Sequence, residues 1–333
     1  MEFLWPNKSS RLISKKDGSY ECTNAFDPRL TPRTPFQLVK NVNNPGPALC
    51  RNLLIQASCL TALRTLSSLS PYRETYAHQA KLIYLDPPFN TGHTFASYDD
   101  ALPNDIWLSL FYETSLAMKE LLHPEGALFV HLDDIEQHRA RVILDEVYGE
   151  GAFVGTLIWE NYWKMHLDTA FSQTHNYIHV YSPLGNAAWA RRRHTLPHAP
   201  GVTALEDLLP RSLWHASDVG NFPEALKEAH ELFPEEDTFS TPKPERLLHQ
   251  IIHIATSPGD LVVDPFAGSG STAAVAHKMG RSWITIEREC TTVESFILPR
   301  LEKVVAGTDR GGVSKELSWT GGGEFSYVTL PSI

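Results

Sequence analysis

LVVDPFAGSGSTAAVAHKMG, residues 261–280, joins an apolar run of strand length to a glycine turn and then to a run of small residues that suits a helix. Gly268 and Gly270 let the backbone approach a ligand closely, and the amides that open the following helix can face it. The next apolar run, SWITIE at residues 282–287, ends in Glu287, where nucleotide-binding α/β units hold a ribose hydroxyl pair. A glycine turn alone is weak evidence. Strand, turn, helix, strand and terminal acid in this order is stronger, and the absence of a lysine after Gly270 argues against a triphosphate-binding loop.

Working outward, KLIYLDPPFNTG at residues 81–92 is a second strand that stops at two prolines, so Asp86 stands where strand gives way to loop. Open parallel sheets bind ligands at such carboxyl ends. The amine of adenine is a poor nucleophile because its lone pair is delocalised into the ring. A carboxylate and a carbonyl that accept its two N–H groups stabilise the charge that develops on attack. Asp86 and the carbonyl of Pro87 can form that pair, Pro87 and Pro88 stiffen the turn, and Phe89 offers a ring face to an extruded base. A tight turn with a capping aspartate and a core phenylalanine is the plainer reading of Asp-Pro-Pro-Phe in isolation.

Strand and helix patterns alternate around these motifs. NLLIQ, GALFVHL, AFVGTLIWE and NYIHVYSP read as strands, and helices run through CLTALRTLSSL, WLSLFYETSLAMKELL and DDIEQHRARVILDEVYG. Asn104 or Asp105 suits the cap of the second, and Pro242 or Pro244 the first turn of a helix through PKPERLLHQIIHIATS. This alternation predicts an α/β fold, a doubly wound, mostly parallel sheet with helices on both faces. Residues 1–50, punctuated by six prolines, read as an irregular wrapping arm. The remainder divides into a catalytic half (51–160), an irregular inserted segment (161–240), a cofactor-binding half (241–306) and a hinge with one edge strand (307–333).

The chain has 333 residues, 42% hydrophobic and 20% charged, with a net charge of -10. These values fit a folded protein and argue against one that coats nucleic acid non-specifically. Four scattered cysteines form no Cys-x-x-Cys pair, and no apolar run reaches the roughly 20 residues of a membrane span. A cytoplasmic setting without disulfides is expected, with no secretory leader in MEFLWPNKSS.

LIYLDPPFNTG together with DPFAGSGSTAAVA resembles the amino-methyltransferases of DNA that use S-adenosyl-L-methionine, with a (D/N/S)PP(Y/F/W) catalytic motif and an F-x-G-x-G cofactor motif. The catalytic motif comes before the cofactor motif, the order of the beta class. TPKPERLL at residues 241–248 resembles that class's segment beside the methionine part of the cofactor. NLLIQ, the block at residues 107–136, HNYIHVYS and GGGEFSYVTL are similar to modification subunits of type III restriction systems.

The resemblance implies a Rossmann-like fold with a seven-stranded sheet, and catalysis by Asp86, Pro87, Pro88 and Phe89. It gives Asp264, Phe266, Gly268 and Gly270 to the methionine end of S-adenosyl-L-methionine, Thr241 and Lys243 to its carboxylate side, and Glu287 to its ribose. Asp in first place favours adenine N6 in DNA, in a bacterial, archaeal or phage setting. Cytosine N4, RNA, and a catalytically silent DNA-binding subunit are the alternatives. The family usually has Gly-Asp after the strand that here reads NLLIQ, with the aspartate near the cofactor adenine. This chain has Ala57-Ser58, so Ser58 inherits that place without the charge.

The partner implied is double-stranded DNA, with a homodimer and a restriction subunit carrying nuclease and translocase activity left open. Arg191, Arg192 and Arg193, with Trp189, His194 and His198 nearby, form the densest basic cluster and are the expected DNA contact; a solvated loop is the plainer reading. His249 and His253, four apart, read as packing, with Gln250 where H-E-x-x-H has its base. Asp133 and Asp134 read as helix caps, and no metal is expected.

Overall fold

In the computed structural model the strands that end at Asp86 and Asp264 lie side by side. The structure describes residues 3–92, 100–161, 171–193, 211–233 and 239–330, without the side chains of 190–193. Twelve strands are present among them: β1 (Arg11–Ser14), β2 (Tyr20–Thr23), β3 (Gln37–Val42), β4 (Leu53–Gln56), β5 (Ala80–Leu85), β6 (Leu122–Leu132), β7 (Phe153–Glu160), β8 (His175–Tyr181), β9 (Leu213–Trp214), β10 (Leu261–Asp264), β11 (Ser282–Glu287) and β12 (Phe325–Thr329). β1 and β2 form a separate hairpin, and the other ten make one sheet in the order β3-β12-β4-β11-β10-β5-β6-β8-β7-β9.

Parallel pairing runs without interruption from β12 through β4, β11, β10 and β5 to β6. The doubly wound, mostly parallel architecture is therefore as expected. Ten strands replace the expected seven because the arm contributes β3, the C-terminal segment adds β12, and β9 adds a two-residue pairing beside β7. β12 is not the edge strand that its sequence suggested: β3 covers it in antiparallel pairing. The first fifty residues are likewise less irregular than their prolines implied, since they hold β1, β2 and β3.

Alternation along each strand splits the core in two. Leu53, Ile55, Ile83 and Leu85 face helices Cys59–Ser68, Asn104–Leu121 and Gln137–Tyr148. Leu54, Leu82 and Tyr84 face helices Glu245–Ala255, Ser271–Lys278 and Leu298–Ala306. With a period of two, neighbouring side chains go to opposite faces, so apolar runs like these suit a sheet covered on both sides. Pro244 precedes the helix Glu245–Ala255 and so lies just outside its first turn, and Pro103 stands before Asn104 with no side-chain cap, so neither Asn104 nor Asp105 is the cap. Near Pro299 the last long helix is broken by a π-helical turn, Val293–Ile297. No described helix is long and apolar enough to cross a membrane.

Candidate active site

Four adjacent parallel strands, β4, β11, β10 and β5, end on one rim of the sheet. Their carboxyl ends deliver Ala57, Glu287, Asp264 and Asp86 respectively, because parallel strands point the same way and end on the same side of the sheet. A cavity of about 470 Å³ opens along this rim, from Asp86 and Phe89 past Asp264 and Gly268 to Glu287 and Arg288. Its volume is that of a site for a small organic ligand, about 300–1,000 Å³.

At one end, Asp86 Oδ2 accepts a hydrogen bond from Lys243 Nζ at 2.5 Å, while its Oδ1 is buried with no hydrogen-bond partner. Burial pushes the Asp86 carboxyl above the usual range, and Lys243 works in the opposite direction. The ammonium also lies 5.4 Å from the centre of the Phe89 ring. Lys243, expected at the cofactor's carboxylate, is thus held by Asp86: a half-buried carboxylate draws the nearest cation when no other counter-charge is at hand.

The turn itself is fixed from several sides. Trp107 Nε1 donates to the carbonyl of Pro88 at 2.7 Å. The buried carboxylate of Asp100 accepts from the backbone of Asn90 (2.8 Å) and Thr91 (3.0 Å) and from the Thr91 hydroxyl (2.6 Å). The Phe89 ring lies 5.8 Å from the ring of His131, whose two nitrogens bond the Tyr84 hydroxyl and the Asn176 amide. Burial holds His131 well below its ordinary pKa, so it stands neutral behind the aromatic wall. Sequence reasoning missed Asp100, Trp107 and His131. A histidine inside the otherwise apolar strand GALFVHL was the one visible signal.

At the other end, Gly268 takes φ +52°, and a Cβ there would come within 3.3 Å of the Phe239 ring. Its N–H donates to Glu287 Oε2 at 3.1 Å, and Glu287 Oε1 accepts from the backbone of Arg288 and Glu289. Asp264 is almost fully buried, and burial pushes its carboxyl up to about 8 despite bonds from Thr272 and the Phe266 N–H. Among the described residues no cation pairs with it. Thr241 and Phe266 also line the cavity.

Two expected cofactor residues are not on the wall. Gly270 serves packing: a Cβ at its φ of +75° would stand 2.9 Å from the Ile297 side chain. Ser58 caps the helix Cys59–Ser68, accepting from Thr61 N–H at 3.3 Å and bonding the Thr61 hydroxyl at 2.7 Å. A serine just before a helix is pulled to that job by the unpaired amides of the first turn.

The glycine turn rests on buried charges. Arg300 donates to Ser269 O and Ser271 Oγ with one nitrogen and to Glu245 with the other, and Glu245 also pairs with the fully buried Lys278. Trp189, expected beside the arginines as a stacking ring, is instead a core residue against Phe129. Arg191, Arg192 and Arg193 close the helix Gly185–Arg193, but their side chains, and all of His194 and His198, lie outside the described residues. Asp133 accepts from the Ile135 N–H in a turn, whereas the helix Gln137–Tyr148 has Glu136 before it with no side-chain cap, so Asp133 and Asp134 are not its caps.

Residues 80–297 match the family of DNA methylases of the N6/N4 type. The chain belongs to that DNA methylase family. This DNA methylase is 25% identical to a protein named as the type III restriction-modification HindVI Mod subunit of Haemophilus influenzae, over 88% of this chain and 55% of that one. It is 27% identical to the type II methyltransferase M.EcaI of Enterobacter cloacae (67% and 66% of the two chains) and 25% identical to the DNA adenine methyltransferase YhdJ of Escherichia coli (66% and 76%). It thus spans about half of the Mod subunit. In fold it is similar to the cytosine-N4-specific PvuII DNA methyltransferase, with a TM-score of 0.54, 18% identity and coverage of 80% and 90%. It is also similar to a DNA modification methylase of Thermus thermophilus solved with S-adenosyl-L-methionine, with a TM-score of 0.51, 17% identity and coverage of 84% and 100%. The methyl donor of the family is S-adenosyl-L-methionine.

Proposed function

We propose that this DNA methylase transfers a methyl group from S-adenosyl-L-methionine to the N6 amine of an adenine extruded from double-stranded DNA. The observation that carries the reading is the buried, unpartnered Oδ1 of Asp86 beside the Phe89 ring, at the mouth of a cavity whose far end is Glu287. The cavity suits the methyl donor: Asp264 is a buried carboxyl in want of a cation, and Gly268 leaves room where a side chain would press on Phe239.

In this reading Asp264, Phe266, Gly268 and Thr241 hold the methionine part and Glu287 the ribose, and the group supplies an electrophilic methyl on a sulfonium. Asp86 does the chain's own chemistry. Its carboxylate and the Pro87 carbonyl accept the two N–H groups of the amine, draw its nitrogen toward tetrahedral geometry and hold the positive charge that grows there. Phe89 stacks on the base, and the bonds from Trp107 and Asp100 keep the turn from moving. Lys243 gives up Asp86 when the amine arrives.

Asp86 in the first place of the motif and the named adenine relative favour adenine over cytosine. Arg191, Arg192 and Arg193 are proposed to grip phosphates. We further propose that a second copy or a restriction subunit completes the assembly; the Mod relative is named as a subunit of a restriction-modification enzyme. The test is tritiated methyl incorporation into duplex DNA, with strands lacking adenine and with RNA as parallel substrates. Label in adenine supports the reading, whereas label in cytosine or RNA replaces it. Tight DNA binding with no label anywhere makes the chain a silent subunit.

A further inference from the structure

The cavity has a wall that neither the strand ends nor the motifs account for. Asp17, Gly18, Ser19 and Tyr20, the turn and first strand residue of the β1–β2 hairpin, line it together with Glu287, Arg288 and Glu289. This is the end beyond the ribose acid, where the base of a nucleoside held by Glu287 must lie. By the family resemblance an aspartate at position 58 would reach the cofactor's adenine, but here Ser58 stands off the cavity wall and turns its hydroxyl to Thr61.

The hairpin is held against this end by specific bonds. Leu12 is fully buried, its N–H donates to Glu113 Oε1 at 2.6 Å and its carbonyl accepts from Arg64 at 3.0 Å, while Arg64 and Glu113 pair with each other. At the tip, Arg288 Nη1 donates to the carbonyl of Gly18 at 2.8 Å. Gly18 has φ +83°, and a Cβ there would press on the Arg288 guanidinium at 3.2 Å. The Tyr20 side chain bonds Arg288 and packs beside Leu60 and Leu110, and burial pushes its phenol up to about 12. A neutral aromatic ring and a planar guanidinium, locked together, therefore face the cavity.

We propose that the hairpin tip is the adenine-recognition wall of the cofactor pocket, with Tyr20 and Arg288 supplying flat surfaces to the purine in place of the missing carboxylate. Aromatic rings and guanidinium planes both stack on heterocycles. The proposal rests on the reading of the cavity as the methyl-donor site. In a chain whose family-typical aspartate is absent, the arm supplies the contact from outside the parallel sheet.

Calorimetric titration with S-adenosylhomocysteine and with S-ribosylhomocysteine, which lacks the adenine, tests it. Failure of the wild type to bind S-adenosylhomocysteine would overturn the cofactor reading itself. If the wild type binds, Tyr20→Ala is expected to weaken S-adenosylhomocysteine about tenfold or more, as loss of a ring stacked on a base does. Tyr20→Phe should stay within about threefold, since the ring remains. Neither variant should change binding of S-ribosylhomocysteine, and a thermal melt without ligand should show Tyr20→Ala folded. Unchanged binding of S-adenosylhomocysteine by Tyr20→Ala, or equal losses for both ligands, would sink the proposal.

Discussion

Lys243 Nζ lies 2.5 Å from Asp86 Oδ2 and 5.4 Å from the centre of the Phe89 ring, so one ammonium makes both contacts that a target amine would make. Burial raises the Asp86 carboxyl and Lys243 pulls it back down. Asp86 must be ionised to accept the amine. Removing the cation in Lys243→Met should therefore shift the acid limb of the methyl-transfer profile to higher pH, with activity at pH 6 falling further than at pH 8.5. Lys243→Arg should restore the limb. A Lys243→Met profile superimposable on the wild type would show that the pairing is incidental to the chemistry.

Asp86→Ala should lower methyl transfer by about 10² to 10³, the usual loss when a preorganised acceptor is removed from the transition state. S-adenosylhomocysteine affinity should change little, because the far end of the cavity is untouched. Phe89→Ala should lose roughly 1 to 3 kcal/mol of stacking on the base, and Phe89→Tyr should retain activity. Single-turnover methyl incorporation and calorimetry separate the two quantities.

Asp264 gives a pH dependence of stability with a definite sign. Burial pushes its carboxyl up to about 8 in the fold, from an ordinary 3.8. A raised acid leaves the fold at full stability below its unfolded value and costs stability as pH rises, by up to about 1.4 kcal/mol per pH unit between roughly 4 and 8. Asp264→Asn removes that loss. Thermal melts without ligand should show the variant gaining on the wild type from pH 5 to pH 8, while its affinity for the methyl donor falls. A gain that does not vary with pH would mean that Asp264 is ionised in the fold throughout.

Glu245→Ala should be among the most damaging single changes. It leaves Arg300 without its carboxylate partner in the core and Lys278 with Asp309 alone, and breaking one side of a buried ion pair costs about 3 to 5 kcal/mol. The same loss frees Arg300 from its hold on Ser269 and Ser271, so cofactor affinity should drop as well. Urea unfolding and calorimetry measure the two effects, and an unchanged unfolding midpoint would exclude a supporting role for this network.

The strand ends were legible because each is an apolar run broken by Asp86, Asp264 or Glu287, and a run buried on both faces needs no partner to be recognised. β3 was not, since QLVKNV is mostly exposed and joins the sheet through its backbone pairing with β12. Ser58 and Gly270 stand off the cavity wall, because serine before a helix and glycine at positive φ each serve local needs that resemble ligand contacts in sequence. Lys243 meets an aspartate 157 positions away in sequence, and no spacing rule reaches that far. Asp17 to Tyr20 carry no motif at all, and their role emerges only once the hairpin is seen against Arg288.

Backbone pairing of Val262 with Leu82 joins the two motif strands directly, although about 180 residues of chain separate them. Gln37 likewise stands opposite Thr329, so early and late parts of the chain meet at one side of the sheet. The order in which the ribosome reads the two motifs is thus immaterial to the geometry that they create. A circular permutant that links the region of Leu330 to that of Phe36 and opens between the halves would keep every strand neighbour from β3 to β8. Reshuffling of motif order is, for this architecture, an editorial change in the gene that leaves the carboxylate, the ring and the glycine turn in the same places.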